Sequence, residues 1–219
     1  HGPGWTTGGS THSAGGEFEA IVTQMGRSHV QVQVGAHLAV EREAARSVHI
    51  AIAMPANDRM DWLVEKATEL GASSLLPITA ERSVLKLKGE RSDKKLAHWQ
   101  AIAVAASEQC GRNRVLQVAT PLTLSQAIAA SAPQSSGTRW ILSLAEGTKS
   151  LQEALQALPP QTAGQVQEVT VLSGPEGGLS PAEEAEALAA GFLPVSLGQR
   201  VLRAETAPVA VLSALGLLT

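Results

Sequence analysis

The chain has few aromatic residues and a single cysteine, and these scarcities exclude several classes of protein. Its 219 residues contain no tyrosine, two phenylalanines and four tryptophans, too few for the aromatic platforms on which single-stranded nucleic acids stack. Cys110 is the only cysteine, which rules out an intrachain disulfide and favours a reducing, cytoplasmic setting. No apolar run approaches the roughly 20 residues that cross a bilayer. The sequence also shows no signal peptide, in which a basic segment is followed by an apolar one, so we expect no membrane partner.

The histidines and the cysteine show no pattern of a catalytic or metal site. His29, His37, His49 and His98 lack the spacing of zinc ligands. Cys110 ends the apolar face of a predicted helix, where burial is expected rather than nucleophilic chemistry. No Gly-x-Ser-x-Gly elbow is present, which argues against an α/β-hydrolase. We therefore predict that the protein binds no metal.

Positive charge is concentrated although the net charge is −3. Six of the 17 basic residues fall within one short run, namely Arg82, Lys86, Lys88, Arg91, Lys94 and Lys95. Two further pairs occur, Arg112 with Arg114 and Arg200 with Arg203. Such clusters are typical either of a solvated surface or of phosphate contacts.

The N-terminal part of the chain divides into an irregular stretch and a predicted hairpin. Residues 1–16 are rich in glycine, serine and threonine without periodicity, as in a loop, a tag remnant or the stump of a removed segment. Apolar and polar residues then alternate over Phe18–Val22 and Val30–Val34, with Met25–Ser28 between them. This pattern predicts a β-hairpin, which needs more strands elsewhere because two strands alone are marginally stable.

From about Ser47 the pattern changes to alternating strands and helices. Continuous apolar runs predict buried strands at Val48–Met54, Ser74–Thr79, Val115–Thr120, Trp140–Leu144 and Val169–Ser173. Helical spacing predicts a first helix capped by Asn57 or Asp58, with Trp62, Leu63, Ala67 and Leu70 on one side. A longer helix is predicted from Ser92 or Asp93 to Gly111. Further helices are predicted at Leu124–Ala130, Leu151–Leu158, Pro181–Ala190 and Thr206–Leu217. The order predicts an α/β fold with a mostly parallel sheet and helices on both faces.

In such sheets ligands bind at the carboxyl ends of the strands, where a glycine-rich loop follows Val169–Ser173. The loop reads Gly174-Pro175-Glu176-Gly177-Gly178-Leu179-Ser180. Its glycines let the backbone turn sharply and approach a ligand closely. Ser180, Pro181 and Glu183 predict a capped helix start after it. Taken alone, the loop suits a plain turn equally well, and its spacing matches neither the dinucleotide fingerprint nor the phosphate-binding loop.

A second loop places several charged residues at the start of the last apolar helix. It reads Leu197-Gly198-Gln199-Arg200-Val201-Leu202-Arg203-Ala204-Glu205-Thr206-Ala207. The positive end of the helix dipole lies beside these side chains. Two interpretations are open for this loop by itself. Either Glu205 or Thr206 caps the helix while the arginines face water, or the loop binds a ligand.

The two loops together resemble the RsmE family of ribosomal small-subunit RNA methyltransferases, within the SPOUT superfamily. The family signature is similar to both segments, a Gly-Pro-Glu-Gly-Gly loop followed by Leu-Gly-x-Arg-x-Leu-Arg-x-Glu-Thr. Three other blocks agree with it: Asp58–Gly71, Glu81–Ser83 and Glu108–Arg114. The resemblance extends from about Ile50 to the C-terminus in the same order.

The resemblance implies both a fold and a cofactor. Residues 47–219 would form a SPOUT methyltransferase domain whose C-terminal segment makes a trefoil knot, which sequence physics alone would not predict. Residues 1–46 would be part of a PUA-like RNA-binding β domain whose N-terminal part, with an arginine-bearing segment, is absent. The cofactor would be S-adenosyl-L-methionine. The residues implied to bind it are Leu144, Gly174, Pro175, Glu176, Gly177, Gly178, Leu197, Gly198, Val201, Leu202 and Thr206.

The resemblance also implies a substrate and an assembly. The reaction would methylate N3 of one uridine in 16S rRNA, presented as naked RNA or in the assembled small ribosomal subunit, by a homodimer with its active site near the subunit interface. We expect RNA contacts from Arg82, Lys94, Lys95 and Arg114. Arg203 or Arg112 would stabilise the developing uracil anion. Glu205 is a possible proton acceptor, although a helix-capping role is equally open and the base stays unidentified.

Two other functions remain open at this point. The chain would also suit a knotted methyltransferase that acts on tRNA or on another rRNA position. A third alternative, from a different class, is an RNA-binding module without turnover. The block Glu108–Arg114 favours the N3-uridine methyltransferase, because a simple binding module would not need this block.

Overall fold

A parallel sheet forms the centre of the molecule in a computed structural model that describes residues 16–44, 46–56, 58–85, 87, 89–131, 137–161 and 166–217. The strands are β1 (Glu17–Met25), β2 (Val30–Leu38), β3 (Arg46–Ala53), β4 (Ser74–Thr79), β5 (Gln117–Val118), β6 (Leu122–Thr123), β7 (Thr138–Leu142), β8 (Lys149–Ser150), β9 (Gln167–Ser173) and β10 (Leu193–Ser196). The helices are α1 (Arg59–Glu69), α2 (Glu90–Cys110), α3 (Leu124–Ala130), α4 (Leu151–Gln156), α5 (Pro181–Ala189) and α6 (Thr206–Gly216).

The eight-stranded sheet has the order β5-β4-β3-β9-β7-β10-β8, with β6 paired to β4. Every strand pair described in this sheet is parallel. The expected α/β architecture with a mostly parallel sheet is therefore confirmed. Because all these strands point the same way, their carboxyl ends meet at one edge, which we call the C-edge. The opposite edge is the N-edge.

Helices cover both faces of the sheet, as predicted. Alternate residues of β3 divide between two cores: Val48, Ile50 and Ile52 belong to one, and Ala51 and Ala53 to the other. The first core also contains apolar residues of α1, α2, α4 and α6. The second contains residues of α3 and α5. Burial of β3 on both faces explains why its sequence is continuously apolar rather than alternating.

The predicted hairpin is present as β1 and β2, which pair antiparallel in a separate two-stranded sheet. The turn closes with a hydrogen bond from Gly26 N to His29 O at 2.9 Å. Its apolar side chains are exposed, including Phe18 at 60% and Ile21 at 69%. The structure therefore supports the hairpin, while its membership of a PUA-like domain stays a prediction.

Several predicted boundaries were wrong, each for a local reason. Helix α2 begins at Glu90, with Gly89 at the N-cap, rather than at Ser92 or Asp93. Gly89 has φ +54, a conformation that favours glycine, so the chain turns into the helix earlier than the polar capping residues suggested. Trp62 is 42% exposed, because the buried stripe of α1 is centred on Met60, Leu63, Val64 and Ala67.

Two predicted strands are displaced or shortened. The stretch predicted as Val115–Thr120 has only the short β5 in this range, and β7 spans Thr138–Leu142 instead of Trp140–Leu144. Asp58 occupies the N-cap of α1 without a side-chain capping bond, and the alternative cap, Asn57, lies outside the described residues. Lys86 and Lys88 of the basic run and residues 1–15 lie outside them as well. Within the described ranges, no helix is both long and apolar enough to cross a membrane.

Candidate active site

A pocket opens at the C-edge of the sheet, between the ends of β7, β9 and β10. The pocket region covers about 610 Å³ when the part open to solvent is included. Its wall is formed by residues of three loops and the strand ends that precede them. They are Leu142, Ser143, Leu144, Ser173, Gly174, Pro175, Glu176, Gly178, Val195, Leu197, Arg200, Val201, Leu202, Ala204 and Ala207.

The glycine-rich loop after β9 forms one side of this pocket. Gly178 N donates to Pro175 O at 2.8 Å, which closes a tight turn, and Gly178 has φ +68. A Cβ added at Gly174 would lie 3.1 Å from the Leu179 backbone N, a close contact that requires Leu179 to shift by a few tenths of an ångström. The predicted capping box is confirmed, since Ser180 Oγ accepts from Glu183 N and the Glu183 side chain accepts from Ser180 N.

The loop between β10 and α6 forms the opposite side. Ser196 Oγ accepts from Gly198 N at 3.2 Å, and Gly198 has φ +107. Arg203 O accepts from Thr206 N at 3.0 Å and from Ala207 N at 3.1 Å, so the backbone of Arg203 anchors the start of α6. Glu205 occupies the N-cap without a side-chain capping bond. Glu205 is therefore at the expected N-cap position, but its side chain does not cap the helix.

Arg59, at the first position of α1, connects the two loops. Its Nη1 donates to Glu176 Oε1 at 3.2 Å, and its Nε lies 3.7 Å from Glu205 Oε1. Glu205 is 7% exposed, and among the described residues its Oε2 has no hydrogen-bond partner. Burial of a carboxylate is costly unless a cation lies near it. Arg59 therefore stabilises Glu205 while joining both walls of the pocket.

Sequence reasoning missed Arg59 as a site residue. It precedes Glu176 by 117 residues, so no local pattern could reveal the contact. The one available signal was the agreement of the Asp58–Gly71 block with the family pattern. Because α1 follows β3, its first residue lies at the C-edge beside the other loops.

Replacing Arg59 by alanine is expected to lower the free energy of unfolding by about 1–2 kcal/mol. The change leaves buried Glu205 without its nearest cation, and the figure is reduced because the Arg59 side chain is 41% exposed. Urea denaturation measures it. Lys66→Ala is the control, since Lys66 pairs with Glu65 and Glu69 in its own helix and its loss should lower the free energy of unfolding much less, because exposed ion pairs contribute little. Equal effects of the two changes would contradict the bridging role.

The structure brings most of the expected cofactor residues to the pocket. Leu144, Gly174, Pro175, Glu176, Gly178, Leu197, Val201 and Leu202 line it, whereas Gly177, Gly198 and Thr206 are next to lining residues without lining it themselves. Unpredicted lining residues are Leu142, Ser143, Ser173, Val195, Arg200, Ala204 and Ala207. Most of these residues are next to predicted positions in the sequence. Val195 belongs to β10 and Ala207 to α6, the two elements on either side of the second loop.

The expected catalytic residues are divided between the two edges of the sheet. Arg203 is exposed and follows the pocket residue Leu202, and Glu205 is buried behind the same loop. Arg112 does not join them in this chain. Its guanidinium donates to Thr68 O at 2.8 Å and Ala72 O at 3.0 Å, just before β4, and therefore lies at the N-edge. The expectation that Arg112 stabilises the uracil anion is not supported by this placement.

The four expected RNA-binding residues are divided in the same way. Lys94 is exposed and Lys95 half-buried in the first turns of α2, which starts near the C-edge because it follows β4. Arg82 is also at this edge, but its Nη1 donates to Gly177 O at 2.9 Å and supports the glycine-rich loop. Arg114 lies beyond the C-terminus of α2, where it binds Glu41 at 2.9 Å. Arg82, Lys94 and Lys95 therefore lie at the edge where the pocket opens, and Arg114 does not.

Comparison with known proteins identifies the family. The RNA methyltransferase domain family matches residues 42–216. Ribosomal RNA small subunit methyltransferase E of Synechocystis is 34% identical over 200 residues, which cover 91% of this chain and 62%, less than two thirds, of that protein. A methyltransferase of Legionella pneumophila, solved with bound SAM, is 33% identical with a TM-score of 0.81, covering 93% of this chain and 79% of that one.

A further solved relative carries the same family name and holds the cofactor. Ribosomal RNA small subunit methyltransferase E of Neisseria gonorrhoeae, bound to S-adenosyl methionine, is 32% identical with a TM-score of 0.79. The match covers 93% of this chain and 80% of that chain. The agreement in sequence extends over the α/β domain and both loops of the pocket. The chain therefore belongs to the RNA methyltransferase family of ribosomal RNA small subunit methyltransferase E.

Proposed function

We propose that this protein uses S-adenosyl-L-methionine to methylate N3 of a uridine in the 16S rRNA of the small ribosomal subunit. The observation that carries the proposal is the pocket at the C-edge. It is built by the two loops that resemble the family signature, and eight of the eleven residues implied to bind the cofactor line it. Relatives named ribosomal RNA small subunit methyltransferase E have small-subunit ribosomal RNA as their named substrate, and two solved relatives hold the cofactor.

The pocket residues fit the adenosine part of this cofactor. Leu144, Val201 and Leu202 offer apolar surface to a flat base, and Gly174 and Gly178 leave backbone groups close to the pocket. Bound S-adenosylmethionine supplies a methyl group on a positively charged sulfur, which a nucleophile attacks in line. The protein holds the uracil near that methyl group and excludes other orientations of the base.

Arg203 is the residue that we assign to the uracil. Uridine N3 becomes nucleophilic as it loses its proton, and the resulting negative charge spreads to the neighbouring uracil oxygens. A guanidinium that is already in place stabilises such charge without reorganisation. Arg203 is exposed on the loop that forms the pocket wall, and its backbone is fixed by the first turn of α6. Its backbone is therefore fixed at the rim of the pocket, and its exposed side chain lies where RNA would enter.

Glu205 is the candidate proton acceptor, but a structural role competes with this one. Its Oε1 lies near Arg59, while Oε2 has no hydrogen-bond partner among the described residues. A buried carboxylate with one available oxygen can receive a proton, provided that the substrate comes within hydrogen-bonding distance. Glu205→Gln separates the roles, because it preserves the shape of the side chain and removes the basic oxygen.

We also propose the family's knot, domain division and homodimer for this chain. The segment from Leu197 to Glu205 contributes to the same pocket as Ser143 and Gly174, so three separate parts of the chain come together there. Residues 47–219 would be the SPOUT domain, and 1–46 part of the PUA-like domain. A two-fold dimer would place the active site near the interface. Sedimentation at micromolar concentration should give a dimeric mass.

Lys94 and Lys95 are expected to contribute to RNA binding through phosphate contacts. Each alanine replacement should weaken binding modestly and reduce the slope of log K against log salt by about one unit. Binding of small-subunit RNA at several salt concentrations measures this slope. Lys66→Ala is the matched control, because Lys66 is paired with Glu65 and Glu69 near the end of α1. An unchanged slope in both lysine variants would remove α2 from the RNA interface.

Calorimetry with S-adenosylmethionine and its demethylated product tests the cofactor part of the proposal. We expect both compounds to bind with a stoichiometry of about one per chain, and adenosine to bind more weakly by the same loops. Binding should persist in a metal chelator. Absence of binding by both compounds would refute the cofactor assignment, and a requirement for a divalent ion would refute its metal-free form.

A further inference from the structure

The segment between the hairpin and the sheet is held by several side-chain contacts. Residues 39–44 join β2 to β3 and have no regular secondary structure. All three charged side chains of this connector, Glu41, Arg42 and Glu43, bind other groups. Most of the partners belong to one short loop, Gly111–Arg114, directly after α2. This loop belongs to a family block to which the proposed chemistry gives no role.

Arg112 makes the most buried of these contacts. Its Nε donates to Glu43 Oε1 at 2.9 Å and its Nη2 to Glu43 Oε2 at 2.5 Å. The side chains are only 6% and 11% exposed. The Nη1 of Arg112 donates to the carbonyl oxygens of Thr68 and Ala72. One guanidinium therefore ties the connector to the end of α1, in a forked geometry that lysine cannot reproduce.

The neighbours of Arg112 add three further ties. Asn113 Nδ2 donates to Val40 O at 2.5 Å, and Arg114 Nη2 donates to Glu41 Oε2 at 2.9 Å. In the reverse direction, Arg42 Nη1 donates to Gly111 O at 3.1 Å. Arg42 also binds Glu17 at the start of β1, so the hairpin itself is included.

One feature of the loop and one of the connector support this arrangement. Gly111 ends α2 with φ +74, which turns the chain back toward the connector. Partial burial by itself raises the pKa of Glu41. This effect is outweighed by a hydrogen bond from the Glu43 backbone, by the positive charge of Arg114 and by a hydrogen bond from the Arg42 backbone, so that the pKa of Glu41 lies below its ordinary value. The connector carboxylate is thus stabilised in its charged form, which is the form that binds Arg114.

We propose that Gly111–Arg114 is a clamp that fixes the hairpin relative to the methyltransferase pocket, with Arg112 and Arg114 as positioning residues. The clamp lies at the N-edge, and the pocket lies at the C-edge. With about 3.3 Å per residue, the seven residues of β9 separate the two edges by about 20 Å. Arg112 and Arg114 therefore contact neither the reacting uracil nor the cofactor of this chain.

The consequence for RNA rests on the proposed function. If the hairpin contributes to RNA docking, its orientation determines how the target uridine meets the pocket. Loosening the clamp leaves the pocket intact but presents RNA in many orientations. Such a change raises KM for RNA without altering the chemical step, because fewer encounters are productive. A catalytic arginine would behave in the opposite way, through kcat.

Glu43→Gln and Arg112→Lys test the clamp, with Glu108→Gln as the matched control, since Glu108 is exposed in the last turn of α2. Hydrogen exchange of the amides in residues 39–44 measures clamp opening directly. We expect exchange to accelerate at least about tenfold in both clamp variants and not in the control, since one charge-assisted hydrogen bond is worth roughly that factor. Glu41→Gln, whose side chain is 43% exposed in its pair, provides a milder variant that should fold in any case.

Methylation kinetics then separate positioning from catalysis. In the clamp variants we expect KM for small subunits to rise about tenfold, with kcat and S-adenosylmethionine affinity unchanged. Unchanged exchange in all three variants would overturn the clamp. A fall in kcat in Arg112→Lys but not in Glu43→Gln would overturn it in favour of a catalytic Arg112. Because the exchange measurement needs no substrate, failure of the proposed function would not be mistaken for failure of the clamp.

Discussion

Valine at position 178 is expected to reduce affinity for S-adenosylmethionine by about a hundredfold or more. Gly178 has φ +68 and lines the pocket. A β-branched residue in this conformation is strained by roughly 1–3 kcal/mol, and the loop can relieve that strain only by changing the turn that Gly178 N closes on Pro175 O. The added side chain would also occupy space near the ligand. Calorimetry of the purified variant measures the loss.

Two controls distinguish loss of the pocket from general damage. Gly177→Ala should bind almost normally, because Gly177 has no positive φ and an added Cβ would lie 3.6 Å from the Arg82 side chain, an ordinary contact. Gly71→Ala places comparable strain at a φ of +82 outside the pocket lining, so it should lower stability and leave affinity unchanged. Normal binding by Gly178→Val would show that this loop does not hold the cofactor.

Arg203→Ala is expected to lower kcat for RNA methylation by about a hundredfold, the usual effect of losing one preorganised donor to a developing anion. S-adenosylmethionine affinity should change little, because Arg203 is exposed and does not line the pocket. Single-turnover methylation with saturating small subunits gives the rate of the chemical step.

The control for Arg203 is Arg203→Lys, which keeps a positive charge but not the forked donor geometry. Partial recovery by lysine would indicate that charge contributes separately from geometry. A different outcome would reassign the residue: if Arg203→Ala raises KM for RNA and leaves kcat unchanged, Arg203 docks the RNA and does not take part in the reaction.

Sequence patterns predicted the parts of this molecule that depend on neighbouring residues. The buried strand at Val48–Met54 and the glycine-rich loop were found because their signals are local runs of apolar or turn-forming residues. The capping box at Ser180 was found for the same reason. Since parallel strands end at a common edge, the sequence alone also indicates that the loops after β9 and β10 lie together.

The remaining features depend on contacts between distant parts of the chain. Arg59 joins two loops that follow it by more than a hundred residues, and Arg112 pairs with a glutamate 69 residues earlier. The position of Arg112 at the N-edge was not predicted, because an arginine pattern does not show which edge of the sheet the residue faces. The sequence also did not show whether Gly177 or Gly178 needs a positive φ, because two adjacent glycines fit the same loop pattern.

The most direct test is transfer of labelled methyl groups to small ribosomal subunits that lack the modification, followed by mass mapping of the product. We expect one methyl group at N3 of a single uridine in 16S rRNA, with transfer strongly reduced at low cofactor concentration in Gly178→Val and slowed in Arg203→Ala. Methyl transfer to tRNA, or to another rRNA position, would contradict the proposed substrate. Cofactor binding without transfer to any RNA would contradict the enzyme assignment itself.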